Sequence, residues 1–191
     1  MKSLGDSTKI DSKDVGRLPI IPGTYPAHVS GFADNAYNDS LVFNLSYVIA
    51  PEASNVKVKR QVVENGELVT VTDSTGQPEL ISAGYLSGKE FRGNGIWLTP
   101  SPVEGESWKN KKYKQTFENM GVVFEIDDDA KTILGQVEED DVIGLPCLVK
   151  IDREAYEKDG ETKHAWKVQQ VYPWREGTRV SADEFSGDVP F

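Results

Sequence analysis

Ser40 to Ala50 reads SLVFNLSYVIA, with Leu41, Phe43, Leu45, Tyr47 and Ile49 at every second position and Asn44 and Ser46 between them. Side chains alternate across a strand, so this spacing turns the apolar set to one face and marks a half-buried β-strand. The preceding ADNAYNDS is dense in Asn and Asp, which bond to nearby backbone and tolerate tight turns, so an antiparallel partner is expected just upstream. That partner lies in LPIIPGTYPAHVSGF (Leu18 to Phe32), where Pro19, Pro22 and Pro26 exclude a helix and suit a strand at a sheet edge. Downstream, VKVKRQVV and LVTVT flank ENGE and predict a hairpin turning at Asn65-Gly66. The four glycines of ISAGYLSGKEFRGNGIWL (Ile81 to Leu98) predict a bulged or bent strand pair.

The period then changes. Trp108, Tyr113 or Lys112, Phe117 and Met120 fall near helical spacing, with Ser107 as N-cap and Gly121 as the stop, so one helix is expected over roughly Trp108 to Met120. Residues 125 to 141 hold eight acidic groups and one lysine, the composition of a solvated loop. PCLVKI (Pro146 to Ile151) and KHAWKVQQVY (Lys163 to Tyr172) read as two further strands around a turn at Asp159-Gly160. The whole is mainly β: a five-stranded barrel of the oligonucleotide-binding (OB) type with one helix between strands three and four, plus an extra hairpin. A β-sandwich is the alternative. Polar residues 1–17 are expected to form a mobile arm, 18–172 the folded domain and 173–191 an acidic tail.

The chain has 191 residues, 38% hydrophobic and 27% charged, which fits one folded domain. Nothing approaches the run of about 18 apolar residues that a membrane span needs, and the first residues lack a signal peptide's apolar core, so a cytoplasmic protein is expected. One cysteine, Cys147, cannot form an internal disulfide, and with only His28 and His164 no Cys/His metal spacing exists, so neither metal nor cofactor is expected. Neither histidine has a nucleophile motif around it, and both read as half-exposed sheet residues. Arg92 to Gly95 (RGNG) lacks the context of a phosphate loop and reads as a tight turn. No catalysis is expected.

The formal charge of −10 argues against a polyanionic ligand unless the charges are segregated, and they are. WKNKKYKQ (Trp108 to Gln115) carries Lys109, Lys111, Lys112 and Lys114 between two large rings, Trp108 and Tyr113. Single-stranded nucleic acid is held by cations along its backbone and by aromatic faces on which bases stack. Further basic and aromatic sets are Lys57, Lys59 and Arg60; Lys89, Phe91, Arg92 and Trp97; and Trp166 with Lys167. The bland alternative makes Trp108, Phe117 and Trp166 core residues and the lysines a solvated face.

The chain closes on DEFSGDVPF, in which Asp183, Glu184, Phe185 and Asp188 lead to Val189-Pro190-Phe191. Acidic groups ahead of an apolar hook suit a peptide that docks in a basic-rimmed apolar pocket on another protein. This tip resembles that of the single-stranded DNA-binding proteins of bacteria and their phages, and the match is carried by GDVPF (Gly187 to Phe191). The body is similar to phage-encoded members in the order of Pro22, Gly23 and Tyr25, then Ile96-Trp97, Gly121 and Leu145-Pro146. Two departures from the bacterial proteins are the few carboxylates of the tip and the short linker before it. The resemblance implies an OB-type body and sequence-independent binding of single-stranded DNA in phage replication and recombination. It also implies that the tail recruits replication and recombination proteins and competes with DNA for the basic groove. Two rival readings are a β-sandwich adaptor that binds partners through its tail and never DNA, and a metal-dependent nuclease using Asp127 to Asp129 and Glu138 to Asp141.

Overall fold

The computed structural model describes residues 18–64, 67–100 and 107–185. The expected N-terminal arm, the Asn65-Gly66 turn and the last six residues lie outside them. Strands β1 (Gly23–Tyr37) and β2 (Ser40–Ile49) form a long antiparallel hairpin that shifts register between Val29 and Gly31. The insertion that follows holds β3 (Lys57–Lys59), β4 (Gln61–Glu64), β5 (Glu67–Thr70) and β6 (Leu80–Ser82), paired as two small ribbons, β3 with β6 and β4 with β5. Next come β7 (Glu90–Gly93), β8 (Ile96–Leu98) and helix α1 (Ser107–Asn119). The acidic stretch forms a two-residue ribbon, β9 (Glu125–Ile126) with β10 (Thr132–Ile133), and one helical turn, α2 (Glu139–Val142), closed by a capping box between Glu138 and Asp141. It is therefore more ordered than the expected loop. The hairpin of β11 (Pro146–Lys158) and β12 (Glu161–Pro173) completes the fold.

Pairings β1–β2, β2–β7, β7–β12, β12–β11 and β11–β1 close on themselves, and only β7–β12 is parallel. The result is a five-stranded OB-type barrel, not a sandwich, with α1 between the third and fourth barrel strands. Closure removes the edge that the prolines had suggested for the first strand, which instead sits between β2 and β11. Pro26 is tolerated because its carbonyl accepts from Ala50 N, so its nitrogen faces the same side, just past the end of β2 at Ile49.

The alternating set of β2 fills the barrel: Phe43, Leu45, Tyr47 and Ile49 are buried, with Tyr25 and Val29 from β1 and Val149 and Ile151 from β11. Cys147 is also buried, and desolvation pushes its thiol well above the ordinary range. Helix α1 packs Tyr113 and Phe117 against Phe43, with ring centroids 5.3 and 5.9 Å from it. Tyr113, Phe117 and Met120 recur at helical spacing, whereas Trp108 lies five residues before Tyr113, off that stripe, and is 55% exposed. The Asn110 amide joins the helix to the end of β8, accepting from Thr99 N and donating to Thr99 O, both at 2.8 Å. Gly121, at φ +93°, turns the chain out of the helix.

Residues 174–185, expected as part of a free tail, pack back on the barrel. Val180 N donates to Gly144 O at 3.0 Å, His28 Nε2 meets Thr178 O at 3.1 Å, and the His28 ring lies 5.5 Å from Trp174. Arg179 donates to the carbonyls of Ile143 and Asp140. His28 is thereby buried and not half-exposed. Gly144 has φ +78°, and a Cβ there would collide with the Val180 carbonyl, so this seat requires glycine.

Candidate nucleic-acid interface

The inward set of β2 leaves Ser40, Val42, Asn44, Ser46 and Val48 on the outer face. Barrel pairing extends that face across β7, β8 and β12. Ser46 stands opposite Arg92, Arg92 opposite Lys167, and Val42 opposite Trp97. Two cations that are far apart in sequence thus become neighbours through the single parallel pairing. Arg92 is exposed and has no ion-pair partner among the described residues. Lys167 pairs with Glu154 at 3.1 Å.

Trp97 points outward from β8 because its neighbours Ile96 and Leu98 are buried in the barrel. Its ring is half-buried. Tyr37, at the end of β1 and 62% exposed, meets it edge-on with centroids 5.8 Å apart. Lys109 reaches from α1 to place Nζ 5.1 Å from the Trp97 centroid, within cation–π range. Tyr37 was not singled out from the sequence, where it reads as part of an Asn/Asp-rich turn. Its aromatic character next to a polar turn was the available signal.

Helix α1 divides its lysines. Lys109 and Lys112 lie three residues apart on the side that faces the strands, while Lys114 donates to Thr132 of β10 at 2.7 Å and pairs with Glu118 at 3.7 Å. Lys111 and Trp108 face solvent. Tyr113, expected as a stacking ring, is a core residue with no exposed surface. Its hydroxyl donates to Gly135 O and accepts from Val137 N, and burial pushes its pKa up to about 12. Phe91 is likewise buried, facing Tyr47 across the β2–β7 pairing. Neither ring can offer a face to a base.

The remaining expected residues do not join this face. Lys57 and Lys59 are exposed on the β3–β6 ribbon, and Arg60 beside them is committed to Glu79, with both carboxylate oxygens within 3.2 Å of Nη1. Lys89 holds its ammonium 5.7 Å from the Tyr85 ring centroid. Trp166 packs against the core near the β4–β5 ribbon, alongside Pro19 and Leu68. Of the tail, Asp183, Glu184 and Phe185 form a short 3-10 turn, and Phe185 lies in a groove with Pro51, Val48 and Ser87. Asp188, Val189, Pro190 and Phe191 lie outside the described residues.

No group of three or more His, Cys, Asp or Glu side chains among the described residues is arranged to hold a metal ion. Among them, too, no helix is long and apolar enough to cross a membrane. A scan of the chain against protein-family models finds no match, and a search of curated proteins finds no similar one.

Proposed function

We propose that this protein binds single-stranded DNA without sequence preference along the outer face of β2, β7, β8 and β12, and performs no chemistry on it. The observation that carries this reading is the convergence of Trp97, Tyr37 and Lys109 with Arg92 and Lys167 on one face of an OB-type barrel. Rings and cations in one tract provide the two interactions that unpaired strands require, stacking and phosphate contact. The distribution of charge supports it, because the carboxylates of 125–141 belong to the segment on the other side of α1, contacted by Tyr113 and Lys114. In this reading the protein protects unpaired strands during phage DNA replication and recombination, in the host cytoplasm.

Titrating the full chain with poly-dT and with duplex DNA at two salt concentrations tests it. Tryptophan emission should fall on binding poly-dT, and log K should decrease with log salt by about 0.7 per phosphate neutralised. Absence of binding at low salt, or an affinity indifferent to salt, would overturn the proposal.

The C-terminal tip recruits replication and recombination proteins in the same reading, by the resemblance of GDVPF. Deleting Asp183 to Phe191 should leave poly-dT affinity unchanged or raised while abolishing capture of those proteins. A chain that binds partners through its tail but never DNA would be the adaptor of the rival reading.

A further inference from the structure

After Gly93 the only parallel pair of the barrel separates. The backbone of β7 turns through Asn94-Gly95 into β8, which pairs with β2, while β12 continues to Pro173. Helix α1 lies across the gap and contacts both β8 and β12. A cavity of about 250 Å³ remains between them. Its floor is apolar, made by Ile96, Val168 and the Tyr47 ring, all buried. Its rim carries amides and one cation.

Around this cavity some polar groups are already engaged, Asn119 donating to Val171 O, Thr116 to Lys112 O and Tyr172 to Gln170 Oε1, and others are not. Tyr25, Tyr85 and Tyr113 each place their hydroxyl on a backbone carbonyl. Tyr47 is 1% exposed, walls the cavity, and its hydroxyl has no partner among the described residues. Asn94 and Gln169 spend one bond on each other, at 3.0 Å, which leaves a carbonyl oxygen on one and an amide on the other. Gln115 is exposed on the helix side and Lys112 stands beside it, with no carboxylate within ion-pair distance of that lysine among the described residues.

We propose that this cavity takes a single unstacked nucleobase, whose edge is read by Asn94, Gln115 and Gln169 and by the Tyr47 hydroxyl while Lys112 meets the adjoining phosphate. This rests on the reading of the barrel face as a DNA tract. Chain position supplies the link: Asn94 directly follows β7, two residues after Arg92, Gln169 stands at the register shift of β12, two residues after Lys167, and the two amides are hydrogen-bonded to each other. A strand running over the cations arrives at the cavity mouth. An apolar floor under amide donors and acceptors suits a base, which presents both along its edge, whereas a bare phosphate would call for more than one cation. Gly93 keeps the wall open, since a Cβ there would stand 3.1 Å from Tyr47 Cε2.

Titration of the full chain with oligo-dT, followed by NMR of Asn and Gln side-chain amides, tests the proposal. The amide resonances of Asn94, Gln115 and Gln169 should shift with saturation. Asn94→Ala should weaken binding about five-fold with an unchanged salt slope, because a neutral contact is lost and no phosphate contact is. Gln115→Ala, at an exposed site where folding is not at stake, should weaken it in the same direction. If oligo-dT binds and shifts the backbone signals of Arg92 and Lys167 but leaves the three amides unmoved, the cavity assignment is wrong and the DNA tract stands. If oligo-dT does not bind at all, both readings fall.

Discussion

Trp97→Ala is expected to weaken binding of poly-dT by about 1–3 kcal/mol, roughly five- to 150-fold, because a base–aromatic stack contributes about that much. The residue is suited to this role by its neighbours. Ile96 and Leu98 are anchored in the barrel, so the strand holds the indole outward. Tyr37 fixes its edge and Lys109 sits over the ring, which restricts it before any ligand arrives. Trp97→Phe should retain most of the affinity, since stacking needs a π-face and not the indole N–H. Thermal unfolding of both variants should stay close to that of the parent chain, because the ring is only half-buried. A fluorescence-anisotropy titration with labelled poly-dT decides the matter, and parent-like affinity for Trp97→Ala would remove this face from the DNA tract.

Phe117→Ala should destabilise the fold by about 3–5 kcal/mol, the usual cost of emptying a large aromatic site in a core. Phe117 has no exposed surface, and its ring stands 4.7 Å from Tyr113 and 5.9 Å from Phe43, centroid to centroid. Removing it opens a void between helix and barrel that neither neighbour can fill without leaving its own contacts. Domains of this size are stable by only about 5–15 kcal/mol, so the loss is a large part of the total. A urea titration read by circular dichroism should show a strongly lowered midpoint. Trp108→Ala, on the same helix but outside its buried stripe, should shift stability by no more than about 0.5 kcal/mol. A small effect for Phe117→Ala would mean that α1 does not pack on the barrel through this ring as described.

Much of the architecture was legible in side-chain spacing. Alternation in Ser40 to Ala50 marked β2, the residues around Asn65-Gly66 were correctly paired as β4 and β5, and the helix differs from expectation by one residue at each end. Other elements were misread for identifiable reasons. The stretch Val56 to Val63 looks like one strand, but β3 pairs with the distant β6 and only β4 belongs to the hairpin. Residues 174–185 lack apolar periodicity and so read as tail. They are held by contacts to residues far away in the chain, Val180 N to Gly144 O, His28 Nε2 to Thr178 O and the Arg179 side chain to the carbonyls of Ile143 and Asp140, which the spacing of apolar residues does not encode.

The same limit governs the candidate site. Composition alone supplied its ingredients, a cluster of lysines among aromatics within an acidic chain, and alternation said that each strand has two faces. Only closure of the barrel decided which rings look outward. Tyr113 and Phe91 are in the core, Trp166 packs against it, and Trp97 faces out with Tyr37 beside it, a neighbour sixty residues away in the chain. The −10 total is fixed by the residues themselves. Whether a polyanion can approach depends on how helix α1 parts Lys109 and Lys112 from Lys114 and the acidic ribbon. It depends equally on the parallel pairing that sets Arg92 beside Lys167. A one-dimensional pattern specifies which residues turn the same way along a strand or helix. Which strands become neighbours is set by the closing of the sheet, and that alone brings these rings and cations to one surface.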